Sequence, residues 1–255
     1  TFNNGISPVS HLQAGPRTGR AEDFVTYEQL WEADKTQLIY TRNVARLRGN
    51  IELENDAKMS PNPFQSSLSP ICFDRGLDII EGGTAPNITI ALSVGAIPNA
   101  ADALAAIKKL VFEEKKLSMS KLMDACRADF IGYEDVLDML KKAPKFGNDD
   151  DYVDSIVQQI IDVLDETPSQ HNYIFGAKPT VAAAIVTGNV PLGKMLGAQP
   201  DGRKAKTPLS EGGLSPHQGR NVSGVTATLK SVAKLDHNKL RHGSVLNLRF
   251  DPDTV

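Results

Sequence analysis

The C-terminal third of the chain reads Val190-Pro-Leu-Gly193, Asp201-Gly-Arg-Lys-Ala205, Pro208-Leu-Ser-Glu-Gly-Gly-Leu-Ser-Pro216 and, at its end, Leu246-Asn-Leu-Arg-Phe250. Runs this rich in glycine, proline and small polar residues are usually flexible linkers. Here they alternate with short apolar segments, and Asp-Gly, Gly-Gly and Ser-Pro pairs mark tight turns between them. Because glycine lets one backbone approach another closely, this pattern is typical of a buried reaction chamber walled by backbone.

The composition of the whole chain is that of an ordinary globular protein. Its 255 residues are 40% hydrophobic and 23% charged, and the formal net charge is −3. Such a balance gives no general attraction for nucleic acid or for anionic membranes, so neither is predicted as a partner. No apolar run approaches the roughly 20 residues needed to span a bilayer. With only Cys72 and Cys126 there is no disulfide framework, which is typical of a reducing cytoplasm and predicts a cytoplasmic location.

Both ends of the chain differ from those of a finished protein. The chain begins at Thr1 without a methionine and stops at Val255, shortly after an apolar segment. We therefore expect it to be an excerpt from a longer polypeptide.

Hydrophobic periodicity predicts a mixed α/β chain without internal repeats. Thr26 stands three residues before Gln29, a capping box that predicts the start of a long helix over residues 27–54. The middle of the chain is predicted to hold four more helices, which begin near residues 99, 120, 133 and 149. Alternating apolar and small residues predict strands over 87–94, 180–186, 225–229 and 244–250.

No catalytic dyad or metal site emerges from the residues alone. The sequence fixes no base beside Cys72, and free cysteines are commonly buried, so packing roles are expected for Cys72 and Cys126. The five histidines lack the spacing of metal ligands, and no metal is predicted. The run 149–151 holds three aspartates that could bind a cation, but a cap at the positive end of a helix dipole is the preferred interpretation.

Motifs spread along nearly the whole chain resemble those of the glycyl radical enzymes, the superfamily of pyruvate formate-lyase and the glycerol and diol dehydratases. They follow the family's order and are Gly15-Pro-Arg-Thr-Gly19, Cys72-Phe-Asp-Arg-Gly-Leu-Asp-Ile-Ile-Glu-Gly-Gly83, Ala101-Asp-Ala-Leu-Ala-Ala-Ile-Lys-Lys-Leu-Val-Phe112, Ala143-Pro-Lys-Phe-Gly-Asn-Asp-Asp-Asp-Tyr-Val153 and the C-terminal block. Each motif alone is modest, whereas the ordered series is specific.

The resemblance implies that residues 1–255 are part of a single barrel domain of the pyruvate formate-lyase type. This is a ten-stranded α/β barrel with surrounding helices, and its interior shields radical chemistry from solvent. In the superfamily a glycyl radical generates a thiyl radical on a cysteine, and the thiyl abstracts hydrogen from a small organic substrate. The Gly-Cys-x-Glu motif of that cysteine would lie upstream, and the Arg-Val-x-Gly-Tyr motif of the glycine would lie beyond Val255. The resemblance thus places no catalytic residue in this span, and the span alone is expected to be inactive.

The resemblance also implies the biochemical setting of the enzyme. It implies an oxygen-sensitive homodimer of anaerobic metabolism that binds no cofactor directly. The glycyl radical would be installed after translation by a radical S-adenosylmethionine activating enzyme with an iron–sulfur cluster. The alternative from another class is a non-catalytic α/β fragment that only binds a partner or has a structural role.

By the same resemblance, four side chains are expected to line the substrate cavity. Ile88 and Leu92 belong to one predicted strand, and Ala184 and Val186 belong to another. Diol dehydratases of the superfamily tend to have a tyrosine where Ala184 stands, and the tyrosine of the common Gly-Gly-Ala-x-Tyr-Asn run is missing from residues 82–87. An apolar cavity would leave the hydroxyls of a small polyol unpaired, at a cost of roughly 1–3 kcal/mol each.

These losses favour a larger, less polar substrate, such as an aromatic or hydrocarbon-derived compound. Arylalkylsuccinate synthases and arylacetate decarboxylases of the superfamily fit that description. A C–O lyase of the glycerol or diol dehydratase type stays open as an alternative, as does simple packing of the barrel core by the four residues.

Overall fold

The computed structural model describes residues 3–7, 9–84, 91–166, 173–178 and 180–250. Within these ranges the α-helices are α1 (Tyr27–Met59), α2 (Pro63–Ser67), α3 (Pro70–Arg75), α4 (Ile97–Ile107), α5 (Met119–Arg127), α6 (Glu134–Lys142), α7 (Asp151–Asp165), α8 (Asn189–Met195) and α9 (Gly224–Ala233). The strands are β1 (Ala91–Val94) and β2 (Thr180–Ala183). Helices thus form most of this part of the molecule.

The start of α1 is confirmed, because Thr26 and Gln29 form the predicted capping box. The Thr26 hydroxyl accepts a hydrogen bond from the Gln29 backbone N–H at 3.3 Å, and the Gln29 side-chain oxygen accepts one from the Thr26 N–H at 3.4 Å. These two bonds satisfy backbone donors that the first turn leaves unpaired. The helix continues beyond residue 54 to Met59, since no proline occurs before Pro61.

The main core lies where α4 packs against α7. On α4, Ile97 and Ile107 are 2% and 0% exposed, and on α7 Val153 and Ile161 are both 0% exposed. Burying one such side chain stabilises the fold by about 1.5–3 kcal/mol. This helical layer therefore supplies much of the apolar stabilisation of the described residues.

The three aspartates at the head of α7 include its helix cap, Asp150. The Asp150 carboxylate accepts a hydrogen bond from the Tyr152 backbone N–H at 3.0 Å. Lys234 reaches Asp149 at 2.8 Å and Asp151 at 2.6 Å, so an ammonium group already neutralises their charges. The structure thus agrees with the preferred interpretation of a cap.

β1 and β2 pair in parallel, with Leu92 opposite Val181. Parallel neighbours need a long crossover connection, which the helices from α4 to α7 provide. On the other edge of β2, the Ala183 N–H donates to the Gly243 carbonyl at 3.0 Å, and the Val245 N–H donates to the Ala183 carbonyl at 3.0 Å. The C-terminal segment therefore runs beside β2.

Several predicted strands are corrected by the structure. The strand over 225–229 is wrong, because these residues lie in α9. Their β-branched residues imitate a strand, but Thr228 and Ser231 are both 0% exposed at helical spacing. The strand over 180–186 ends at Ala183, and 244–250 pairs with β2 only through the bridge at Ser244. Of the strand over 87–94, residues 87–90 lie outside the described residues.

The described residues therefore form an α/β arrangement with a two-stranded parallel sheet. The ten-stranded barrel stays a prediction, because this part of the chain contains two strands. Among the described helices, none is both long and apolar enough to cross a membrane.

Candidate functional site

Two openings lie beyond the carboxyl ends of the parallel strands. Ala96, just after β1, has φ of 59°, and Val186, just after β2, has φ of 49°. This left-handed conformation costs an L-residue about 1–2 kcal/mol, and in a β-branched residue such as Val186 it is an outlier. Parallel sheets bind ligands beyond the carboxyl ends of their strands, and backbone strain concentrates at functional sites. The strand ends therefore mark the candidate site.

The opening after β2, termed the β2 cleft, has a volume of about 630 Å³. Many of the residues that line it carry polar side chains, and the lining includes Val186, Thr187, Asn189, Glu211, His217 and Arg220. Glu211 is the carboxylate among its lining residues, and it pairs with Arg249 at 2.9 Å. A ligand here would meet hydroxyl, amide, carboxylate and guanidinium groups.

His217 contributes a neutral imidazole to the wall of the β2 cleft. Burial lowers the pKa of its ring, with nearby Arg220 acting in the same direction. Its Nε2 lies 3.3 Å from the Pro208 carbonyl, which places a hydrogen on Nε2 and leaves Nδ1 as an acceptor.

The opening after β1, termed the β1 cavity, has a volume of about 650 Å³, and alanine, leucine and glycine are frequent among its lining residues. That wall includes Gly95, Ala96, Asn99, Met123, Cys126 and Leu209. Burial raises the pKa of the Cys126 thiol to about 12, so the thiol stays protonated and is a poor nucleophile. Cys72 is 2% exposed in α3 and lines neither opening. Both positions agree with the predicted packing roles.

The segment 208–213, termed the partition, separates the two openings. Leu209 lines the β1 cavity, whereas Glu211 lines the β2 cleft. The Ser210 N–H donates to Asn99 Oδ1 at 2.7 Å, and the Leu209 N–H donates to the Asn189 carbonyl at 3.1 Å. The partition is thus fixed through its backbone.

Close contact between backbones also holds the partition against β2. The Ile185 N–H donates to the Gly212 carbonyl at 2.9 Å. Gly213 has φ of 147°, and a Cβ atom there would overlap the Ala183 carbonyl. Only glycine fits such a position without strain.

A buried guanidinium organises the loop that leads to the partition. Arg203 is 1% exposed, and its Nε donates to Gln199 Oε1 at 2.8 Å. Its Nη1 donates to the Thr207 carbonyl at 2.6 Å, and its Nη2 donates to the Gly197 carbonyl. The loop therefore closes around one side chain that satisfies several carbonyls.

Of the four predicted cavity residues, the structure describes Leu92, Ala184 and Val186. Leu92 packs against the helical core, and Ile88 lies outside the described residues. Ala184 is half-buried, and its carbonyl accepts a hydrogen bond from Ser93 Oγ at 2.7 Å. Val186 is 83% exposed and lines the β2 cleft. The structure thus places Val186 at an opening and Leu92 on the opposite, helix-facing side of the sheet.

Thr187, Glu211 and Asn99 were missed by sequence reasoning. Thr187 directly follows Val186, and Glu211 stands in a glycine turn, so a charged residue among glycines was the available signal. Asn99 was interpreted as a helix-start residue, although its side chain reaches a segment 111 residues away. No local pattern in the sequence contains such a contact.

Within the described ranges, no group of three or more His, Cys, Asp or Glu side chains could hold a metal ion.

Comparison with known proteins assigns the chain to a family. The family model described as pyruvate formate lyase-like matches residues 1–193, and the model described as glycine radical matches residues 210–255. The second match begins inside the partition.

Individual relatives and solved structures indicate the same family. The chain is 40% identical to trans-4-hydroxy-L-proline dehydratase of Clostridioides difficile over 100% of this chain and 32% of the relative. It is 34% identical to isethionate sulfite-lyase of Oleidesulfovibrio alaskensis, over 100% of this chain and 31% of the relative. The glycerol-bound B12-independent glycerol dehydratase of Clostridium butyricum superposes with a TM-score of 0.91 at 33% identity, covering 99% of this chain and 32% of that one.

The chain spans about a third of the length of these relatives. The family match covers most of the chain, and the ordered motifs of the sequence agree with it. The chain therefore belongs to the pyruvate formate lyase-like family of glycyl radical enzymes.

Proposed function

We propose that this chain is part of a glycyl radical C–O lyase, a dehydratase that acts on a small hydroxylated organic substrate. The observation that carries this proposal is its 40% identity, over its full length, to a hydroxyproline dehydratase. The glycerol dehydratase that shares the fold points to the same class of reaction. The missing tyrosines favour an apolar substrate. The proposal instead makes a hydroxylated substrate the first choice.

The lining of the β2 cleft supports a hydroxylated substrate. A buried hydroxyl or carboxylate needs partners, and the cleft offers Thr187, Asn189, Glu211 and Arg220. Tyrosine hydroxyls at position 184 or in the run 82–87 are therefore not the only possible partners. Val186 and Ala184, at the end of β2, would form the apolar part of the same binding site.

The residues of this chain would bind and orient the substrate and exclude water from it. In this family the radical, installed on a glycine by a radical S-adenosylmethionine activase, supplies the hydrogen abstraction. We place that glycine and the thiyl cysteine outside this span, in a homodimeric cytoplasmic enzyme, and expect the span alone to be inactive. Glu211 and Arg220 would position the hydroxyl or anionic group of the substrate.

A second candidate is a lyase that acts on an aromatic or otherwise apolar substrate. The observation in its favour is the alanine- and leucine-lined wall of the β1 cavity, which has about the same volume as the β2 cleft. An aromatic group would fit such a wall better than a polyol would.

The test uses the full-length enzyme, activated without oxygen, and compares hydroxyproline, glycerol, isethionate and 4-hydroxyphenylacetate as substrates. We expect C–O bond cleavage in a hydroxylated compound. We expect Thr187→Val to lower kcat/KM by about tenfold, because it removes one hydrogen bond at nearly constant volume. Thr36→Val is the matched control, since the Thr36 hydroxyl only bonds the Glu32 carbonyl on exposed α1.

Two outcomes would contradict the proposal. One is an enzyme that carries the glycyl radical, as seen by electron paramagnetic resonance, yet cleaves only the arylacetate. The other is equal kcat/KM in the Thr187 and Thr36 variants.

A further inference from the structure

Asn99 joins the carboxyl end of β1 to the partition. It lies in the first turn of α4 and is 4% exposed. Its Nδ2 donates to Asp201 Oδ2 at 2.6 Å, and its Oδ1 accepts from the Ser210 N–H at 2.7 Å. Both halves of the amide are therefore used in buried contacts with one distant loop.

The chemistry at this point requires an amide. Asp201 is 0% exposed, and its Oδ1 already accepts a hydrogen bond from the Arg203 N–H at 2.9 Å. The carboxylate therefore needs a donor on its other oxygen, whereas the Ser210 N–H needs an acceptor. An asparagine side chain supplies both a donor, its NH2 group, and an acceptor, its carbonyl oxygen. A charged aspartate has no donor, and an apolar leucine has neither group.

Ser210 depends on Asn99 for its position. Its own hydroxyl is buried without a hydrogen-bond partner, so the anchored group is its backbone N–H. Ser210 stands between Leu209, in the wall of the β1 cavity, and Glu211, in the wall of the β2 cleft. A shift of this one amide would move both walls.

We propose that Asn99 is a positioning residue that fixes the partition and thereby the placement of Glu211 in the β2 cleft. Its effect on turnover rests on the proposed function, because it assumes that the cleft binds the substrate. Its effect on the partition does not.

The test begins with Asn99→Asp and Asn99→Ala in the full-length protein. Asn99→Asp keeps the acceptor for Ser210 but places a second carboxylate against Asp201, so the two must share one proton. The charged and titratable groups around Asp201 are Asp102, Cys126, Lys145, Arg203, Arg220 and His217. The new carboxyl group would take the place of an amide whose Nδ2 lies 2.6 Å from Asp201 Oδ2.

Gln158→Glu is the matched control, because Gln158 has the same bonding pattern elsewhere. Its Nε2 donates to Asp162 Oδ1 at 2.6 Å, and its Oε1 accepts from the Asp236 N–H at 2.7 Å. It lines neither opening.

Two measurements are made on each variant. Hydrogen–deuterium exchange of the peptide that contains Ser210 reports the partition without any assay of function. The pH profile of kcat/KM between about pH 5.5 and 8.5 reports how well each variant turns over the substrate. The yield of the glycyl radical is measured alongside.

We expect Asn99→Ala to speed exchange at Ser210 by about tenfold at every pH, the effect of one lost hydrogen bond. In Asn99→Asp, kcat/KM should equal the wild-type value at the acidic end of the pH range and be about tenfold lower at the alkaline end. The radical yield and the Gln158→Glu profile should not change.

Unchanged exchange at Ser210 in Asn99→Ala would overturn the proposal, as would equal and pH-independent losses in Asn99→Asp and Gln158→Glu. If the wild type cleaves no hydroxylated compound, the proposed function fails, and the exchange measurement still decides the role of Asn99.

Discussion

The helical layer and the C-terminal block are built in opposite ways. In the helical layer, large apolar side chains such as Ile107 and Ile161 fill the space between helices. In the block 184–250, backbone approaches backbone, and the buried side chains include Asp201, Arg203 and Ser210. The first region depends on volume, and the second depends on hydrogen bonds and on the absence of side chains. Adding or removing one carbon atom should therefore change the free energy of unfolding very differently in the two regions.

The largest effect is expected from adding a carbon in the block. Gly213→Ala would force a Cβ atom into the Ala183 carbonyl at a φ of 147°. We expect the free energy of unfolding to fall by about 4 kcal/mol, as for other severe backbone clashes. Urea titration of the protein measures it.

Gly219→Ala is the control for Gly213. It has φ of 73° and no atom within 4 Å of the new Cβ. It should cost only about 1 kcal/mol, the penalty of the left-handed conformation. Equal losses of unfolding free energy in both variants would show that the positive φ, and not close packing, is the reason why glycine occupies these positions of the block.

The next effect concerns the buried cation of the block. Arg203→Lys keeps the charge but loses the planar fork that reaches Gln199, Thr207 and Gly197. Unsatisfied carbonyls cost about 1–3 kcal/mol each, so we expect a loss of about 3 kcal/mol in unfolding free energy. Exposed Arg48→Lys, measured in the same way, should change stability by less than about 0.5 kcal/mol.

At the junction of the two regions, Asp102 predicts a dependence on pH. Burial raises its pKa to about 7, although Lys145 opposes the shift. A carboxyl group whose pKa is higher in the folded state contributes stability below its unfolded pKa of about 4, and that contribution is lost as pH rises through the folded value. Asp102→Asn should therefore gain about 2 kcal/mol relative to the wild type between pH 5 and 7. Unfolding curves at several pH values measure the gain.

Exposed Asp138→Asn is the control for this dependence. Its stability relative to the wild type should stay level over the same pH range. A level difference for Asp102→Asn as well would contradict the raised pKa.

Removing a carbon from the helical layer should have a smaller effect. Ile161 is 0% exposed, and Ile161→Val leaves a small cavity in the core. Such changes lower the free energy of unfolding by about 1 kcal/mol. Ile131→Val, at a position 77% exposed, should cost almost nothing. Thermal unfolding compares the two, and a loss at Ile161 as large as that of Gly213→Ala would remove the contrast between the regions.

The smallest effect has the opposite sign. Val186→Gly releases a β-branched residue from φ of 49° while removing little buried surface, since Val186 is 83% exposed. We expect a gain of about 1 kcal/mol in unfolding free energy, because relief of the left-handed conformation, about 2 kcal/mol, exceeds the chain-entropy cost of glycine, about 1 kcal/mol. Val222→Gly, at an equally exposed position (85%), should instead lose about 1 kcal/mol through chain entropy. A loss at Val186 would show that its conformation is not strained.

Local sequence patterns predicted the helical region better than the block. The capping box at Thr26 and the aspartates at the head of α7 are short-range signals, and the structure confirms both helix starts. In α9, β-branched residues imitated a strand, because propensity gave way to the burial of Thr228 on one helix face. Period-two alternation placed Leu92 on one face of a strand, but it could not tell which face would meet the helices.

The candidate site was less predictable than the fold. The glycine-rich motifs indicated close backbone packing and the family, and both are confirmed by the contact at Gly213 and the family match. The contact of Asn99 with Ser210 joins residues 111 positions apart, so no local window contains it. The polar lining of the β2 cleft likewise comes from segments that only the folded chain brings together.

The parallel pairing of β1 with β2 also has a consequence for the order of folding. Leu92 cannot meet Val181 until the ribosome has made everything between them, including α4 and α7. Contacts between distant residues form slowly, because a long loop must close first. The helices can collapse early and present a surface on which the strands later align. Both openings would then form only after the helices, and a nascent chain would expose the edge of β1 that pairs with β2 until Val181 has been made.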